Sequence, residues 1–107
     1  MENTNTPKTG AIILGQLKAL DRNALISWGS KHFMYVKNGL AFQINTPRIN
    51  NGWVSIVLNE AQDLYEISFY NSRKKLLNEV KEVFVDELVY TIDNNIENEE
   101  YVKRVYT

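Results

Sequence analysis

Two hydrophobic periods divide the chain. From Ala11 the apolar residues Ile13, Leu14, Leu17 and Leu20 recur at helical spacing, which predicts an amphipathic helix. Asp21 reads as the N-cap of a second short helical turn through Leu25 and Trp28 that stops at Gly29. A short carboxylate accepts from the first free backbone N–H groups of a helix, and glycine takes the left-handed cap at no steric cost. The two pieces can form one bent helix.

After Gly29 the period shortens to two. Phe33-Met34-Tyr35-Val36 and Leu40-Ala41-Phe42-Gln43-Ile44 read as strands, with Asn38-Gly39 between Lys37 and Leu40. Asn-Gly tolerates positive φ at both central positions of a type I′ turn, so the hairpin is expected to turn there. Leu40, Phe42 and Ile44 alternate with Ala41 and Gln43, which places the first set inward and the second outward. Thr46–Gly52 is a loop. Trp53–Leu58 is a third strand with Val54, Ile56 and Leu58 on one face and Trp53, Ser55 and Val57 on the other. Asn59–Asp63 turns the chain, and Leu64–Tyr70 is a fourth strand with Tyr65, Ile67 and Phe69 on one face. Asn71–Lys75 is a basic turn.

Leu76–Val83 fits two periods. Leu77, Val80, Phe84 and Leu88 match a helix, whereas the tight polar turn before them and the β-branched valines match a strand. A strand to about Val83 is favoured, then a helix from Val85 to Asn95 with Val85, Leu88, Val89, Ile92 and Ile96 as its apolar stripe. Short turns make the sheet antiparallel. The expected fold is α+β, an antiparallel meander of four or five strands packed against N- and C-terminal helices, with one sheet face partly open. Residues 1–9 read as a flexible arm, 10–97 as a single domain and 98–107 as a charged tail.

Composition narrows the chemistry. With 107 residues, 44% of them apolar, the chain can bury a core without metal or disulfide staples. It has no cysteine, which excludes disulfides, thiolate ligands and cysteine nucleophiles. No apolar run approaches the roughly 18–20 residues of a membrane span, and Met1–Gly10 lacks the apolar centre of a signal peptide, so the cytoplasm is expected. No glycine-rich phosphate loop or metal-ligand spacing occurs. The single histidine, His32, has no local nucleophile motif beside it. Asp63/Glu66 and Asp86/Glu87 read as caps and dipole contacts rather than an acid/base pair. No enzyme activity, cofactor or metal is expected.

Charge is uneven. Residues 1–50 carry six Lys/Arg against Glu2 and Asp21, while residues 51–107 carry six against eleven acids. Asp86–Glu100 holds six acids and no base. This reads as a solvated helix face, or as an acidic surface that competes for a basic groove on a partner. The candidate interaction residues are therefore Arg48, Trp53, Tyr70, Arg73, Lys74 and Lys75 around the sheet, and Asp93, Glu97, Glu99 and Glu100 on the acidic side. Strand aromatics ordinarily pack across strands. On an open face they can also stack single-stranded bases or anchor a protein partner.

The ordered segments Ile13-Leu14-Gly15-Gln16-Leu17, Trp28-Gly29-Ser30-Lys31-His32-Phe33, Leu40–Ile44, Val54–Asn59, Asp63-Leu64-Tyr65 to Phe69, and Val80–Val83 to Asp86-Glu87-Leu88 resemble a family of small proteins of unknown function encoded by bacteriophages and other bacterial mobile elements. The likeness spans roughly residues 12–90. Asp21-Arg22 stands where that family has Gly-Gly, and an acidic Asn/Glu-rich tail replaces its Thr-Gly-Leu-Tyr ending. The resemblance implies a phage or mobile-element context in a bacterial cytoplasm and brings no catalytic residues. The leading expectation is an accessory protein that binds and sterically occupies a host or phage protein, for example a host defence nuclease blocked in the manner of an anti-CRISPR protein. The alternatives are a nucleic-acid-binding module using the open sheet face and a self-assembling protein that pairs through its strand edges.

Overall fold

The computed structural model describes residues 5–96. Helix α1 (Asn5–Ser27) is followed by β1 (Lys31–Val36), β2 (Gly39–Ile44), β3 (Gly52–Asn59), β4 (Leu64–Tyr70) and β5 (Leu76–Val83). A 3-10 turn at Val85–Glu87 then leads into α2 (Leu88–Ile96). The strands form one five-stranded antiparallel sheet in sequence order. The fold is the α+β meander expected, and the ambiguous segment is its fifth strand.

The helix is built as its sequence dictates, with one extension. It begins at Asn5, inside the stretch read as an arm. It breaks at Asp21, whose backbone is extended (φ −167°, ψ 92°), and the Asp21 carboxylate accepts the Ala24 N–H at 3.2 Å. That is N-capping of a second helical piece. Gly29 ends the piece at φ 66°. Its N–H donates to the Ile26 carbonyl at 3.0 Å and the Ser30 N–H to the Leu25 carbonyl at 3.1 Å, the pair of bonds of a Schellman cap.

The hairpin turns one residue earlier than expected. Val36 pairs with Gly39 and Tyr35 with Leu40, so the loop residues are Lys37 and Asn38. Asn38 has φ 56° but Lys37 is not left-handed, which rules out a type I′ turn because both central residues would need positive φ. Gly39 serves another purpose. A Cβ there would stand 2.2 Å from the Ile56 carbonyl oxygen and 3.0 Å from Val57 Cα. The glycine permits a close approach of β2 to β3, and the turn shifts to accommodate it.

Alternation fills one sheet face. Leu40, Phe42, Ile44, Val54, Ile56, Tyr65, Ile67 and Phe69 are buried beneath Ile13, Leu17, Leu25 and Trp28 of the N-terminal helical segment and Leu88, Ile92 and Ile96 of α2. Trp28 stacks on Phe42 with centroids 6.4 Å apart and planes 9° from parallel. The expected stripe on the last helix is shorter at its start. Val85 is exposed because the Val85–Glu87 turn is 3-10, closed by Glu87 N–H to the Phe84 carbonyl and Phe84 N–H to the Glu87 carboxylate. Tyr65 donates to Gln16 at 2.7 Å. Burial pushes its phenol above the ordinary tyrosine value, so this donor stays protonated throughout the neutral range.

Thr46 is buried and polar. Its hydroxyl donates to the Ile96 carbonyl at the end of α2 and accepts the Ile49 N–H at 3.1 Å. Thr46→Val keeps the shape and removes both bonds, leaving a donor and an acceptor unpaired in a buried place. We expect a loss of about 2 kcal/mol, read as a lower denaturant midpoint at unchanged slope.

Both sheet edges are irregular. β1 slips against β2 between Lys31 and Met34, with His32 at φ 55°. β5 slips twice against β4, with Glu82 at φ 59°. Among the described residues no helix is long and apolar enough to cross a membrane.

Candidate interface on the open sheet face

The face turned away from the helices is ordered by cross-strand register. One row runs Lys31, Gln43, Trp53, Tyr70 and Leu76, and the next Met34, Ala41, Ser55, Ser68 and Glu79. A third passes through Gly39, Val57 and Glu66. Directly opposed residues of an antiparallel pair have Cβ atoms about 5 Å apart, so Trp53 and Tyr70 are neighbours on this face. Both are half-buried. Beside them is a groove of about 200 Å³ whose lining includes Met34, Ala41, Trp53, Ser55, Tyr70 and Lys74.

The β4–β5 turn delivers Lys74 to this surface. The Asn71 side-chain oxygen accepts the N–H groups of Arg73 at 2.9 Å and Lys75 at 3.0 Å. The Asn71 carbonyl accepts the Lys74 N–H at 2.9 Å, and the Asn71 N–H donates to the Lys75 carbonyl at 3.0 Å. Lys74 takes φ 66°. Its ammonium then lies 5.4 Å from the Trp53 ring centroid, within cation–π range. The rows carry Lys31 against Glu66 and Glu79, and the turn adds Lys74 at their margin, so acids and bases both border the aromatic pair.

The structure gathers some of the expected interaction residues and separates others. Trp53, Tyr70 and Lys74 meet, with Arg73 and Lys75 exposed in the same turn. Arg48 lies elsewhere, lining a cleft with Phe69, Leu77, Asn78 and Asn95 on the side that α2 covers. Asp93 has a structural task, accepting the Trp28 indole N–H at 3.0 Å in a partly buried bond. Glu97, Glu99 and Glu100 lie outside the described residues. His32 is exposed on β1. Met34, Ala41 and Ser55 join the groove although nothing in their local sequence marks them; pairing across three strands brings them there. Among the described residues no group of three His, Cys, Asp or Glu could hold a metal ion. Compared with protein-family models, curated proteins and solved structures, the chain matches none.

Proposed function

We propose that this chain is a non-catalytic accessory protein of a phage or mobile element, and that it binds a protein partner through the open face of its sheet. A host defence nuclease blocked by steric occupation is one concrete form of that partner. The observation that carries the reading is the Trp53–Tyr70 cross-strand pair, half-exposed beside an apolar groove and flanked by Lys74. Large, rigid aromatics such as Trp and Tyr are among the residue types that dominate protein–protein binding energy.

Two observations favour a protein over the alternatives. A single-strand binding face tracks phosphates with a positive groove, whereas Glu66 and Glu79 stand on this same face in the rows beyond the Trp53–Tyr70 row. Self-assembly by strand addition needs a flat, regular edge, and bulges and edge charges oppose it; both edges here carry bulges, with Lys31 on one and Glu79, Lys81 and Glu82 on the other.

The test is capture from bacterial host lysate by the tagged protein and by the Trp53→Ala/Tyr70→Ala variant. Removing two anchors worth about 2 kcal/mol each weakens binding by roughly 30-fold apiece, and by roughly 700-fold together where their effects add. The wild type should retain a stoichiometric protein and the variant should lose it, with circular dichroism showing that both are folded at the assay temperature. No stoichiometric partner, or capture that survives the double substitution, refutes the proposal. Salt-dependent binding to single-stranded DNA that falls when Arg73, Lys74 and Lys75 are neutralised would replace it with the nucleic-acid reading.

A further inference from the structure

Two other patches combine exposed apolar side chains with charge, and their signs are opposite. The first is a groove of about 320 Å³ between α1 and β1, lined by Lys18, Arg22, Leu25, Ile26, Ser30 and Phe33. Ile26 is 73% exposed and Phe33 38%. Among the described residues neither Lys18 nor Arg22 has an acidic partner. The Ser30 hydroxyl is enclosed and has no hydrogen-bond partner, which leaves a donor unused at the same wall.

The second patch is the ridge formed by the 3-10 turn and the first turn of α2. Phe84, Val85 and Tyr90 are all exposed, Phe84 at 56% and Tyr90 at 72%, with Asp86 and Glu87 exposed between them. Glu87 is engaged in closing the 3-10 turn through the Phe84 N–H, so Asp86 is the carboxylate available to a partner.

We propose that the Phe84–Glu87 ridge of one copy docks into the Lys18–Arg22–Ile26–Phe33 groove of a second copy. The chain itself carries both halves of the contact, apolar against apolar and acid against base, and this complementarity selects a second copy as the occupant. The contact joins two different patches, so it closes into a two-fold dimer where both groove–ridge pairs form at once and otherwise propagates into short chains or a ring. Its ionic component is exposed and is screened by salt. It leaves the open sheet face free and does not depend on the function proposed for that face.

Sedimentation equilibrium of the full chain tests the contact at about 20 mM and about 500 mM salt, where the screening length falls severalfold. At low salt and rising protein concentration the weight-average mass should climb to at least twice the 12.4 kDa of the monomer, and high salt should reverse the rise. Arg22→Glu and Asp86→Lys each place like charges at positions 22 and 86 of the contact, with Lys18 and Glu87 unchanged, so each variant alone should remain monomeric. Their equimolar mixture should associate again, because position 22 of one variant then carries the charge opposite to position 86 of the other. Both positions are exposed, so folding should survive, and circular dichroism checks it. Ile26→Glu gives an independent loss through the apolar part of the groove. A wild type that stays monomeric at low salt overturns the proposal. So does association that persists in both single variants, or a mixture that fails to associate.

Discussion

Trp28→Ala should cost about 3–5 kcal/mol of folding free energy, the range for removing a large aromatic from a packed core. Trp28 has no exposed surface and joins three parts of the fold. Its ring stacks on Phe42 of β2. Its indole N–H reaches Asp93 of α2, 65 residues away. Its carbonyl accepts the Asn45 N–H at 2.9 Å just beyond β2. The alanine variant keeps the backbone bond but opens a void between helix and sheet, and it strips a partly buried carboxylate of its donor. Domains of this size have about 5–15 kcal/mol in total, so the loss is a large fraction of stability and lowers the melting temperature by roughly 10 °C or more. Trp28→Phe separates the two contributions. It preserves most of the apolar burial and removes the donor, so it should fall between wild type and alanine, at about 1–3 kcal/mol. Chemical denaturation of the three proteins gives the values. An alanine variant within about 1 kcal/mol of wild type would show that Trp28 does not tie the helices to the sheet.

The same residue shows which features a sequence can display. Its helix was legible because the period and both caps are local: Asp21 and Gly29 each act within five residues. The strands of the meander were legible because turn residues and alternation are local too. Features that depend on distant pairs were hidden. Asp93 looked like one more acid in an acidic stretch, and only the packing of α2 against Trp28 gives it a donor. Lys74 looked like one of three bases in a turn, and only the β3–β4 register sets it over Trp53. Phe33, Met34 and Tyr35 all remain substantially exposed. Alternation predicts one buried face for a strand, and on β1 that face is only partly closed: Phe33 packs on Phe42 with ring centroids 5.2 Å apart and Tyr35 lies against Gly10 of α1, but the edge position at the margin of the helix layer leaves both rings more than a third exposed. The aromatic pair of the candidate interface was visible as composition, and the groove beside it was not.

Gly39 gives the sharpest separation of local preference from distant contact. Alanine there should destabilise the protein by about 2–3 kcal/mol, because its Cβ meets backbone atoms of β3 that cannot swing aside as a side chain can. The backbone at Gly39 is not left-handed, so conformational strain contributes nothing and the penalty reports the contact alone. Gly15 is the matched comparison. It lies within α1, and a Cβ there meets nothing within 4 Å. Gly15→Ala should therefore stabilise by about 0.5–1 kcal/mol, through a less flexible unfolded chain and a better helix former. One substitution at two glycines thus has opposite signs, readable as opposite shifts in denaturant midpoint. Gly10 extends the argument to the docking of the helix. A Cβ at Gly10 would lie 2.6 Å from Tyr35 Cδ1 and 2.7 Å from the Gly39 carbonyl oxygen, so α1 rests on the hairpin at the residue where the hairpin rests on β3. Gly10→Ala and Gly39→Ala disturb one shared point, and their costs should couple rather than add. Additive costs would mean that helix and hairpin relax independently, and the glycine-to-glycine contact would then have no part in holding the first helix to the sheet.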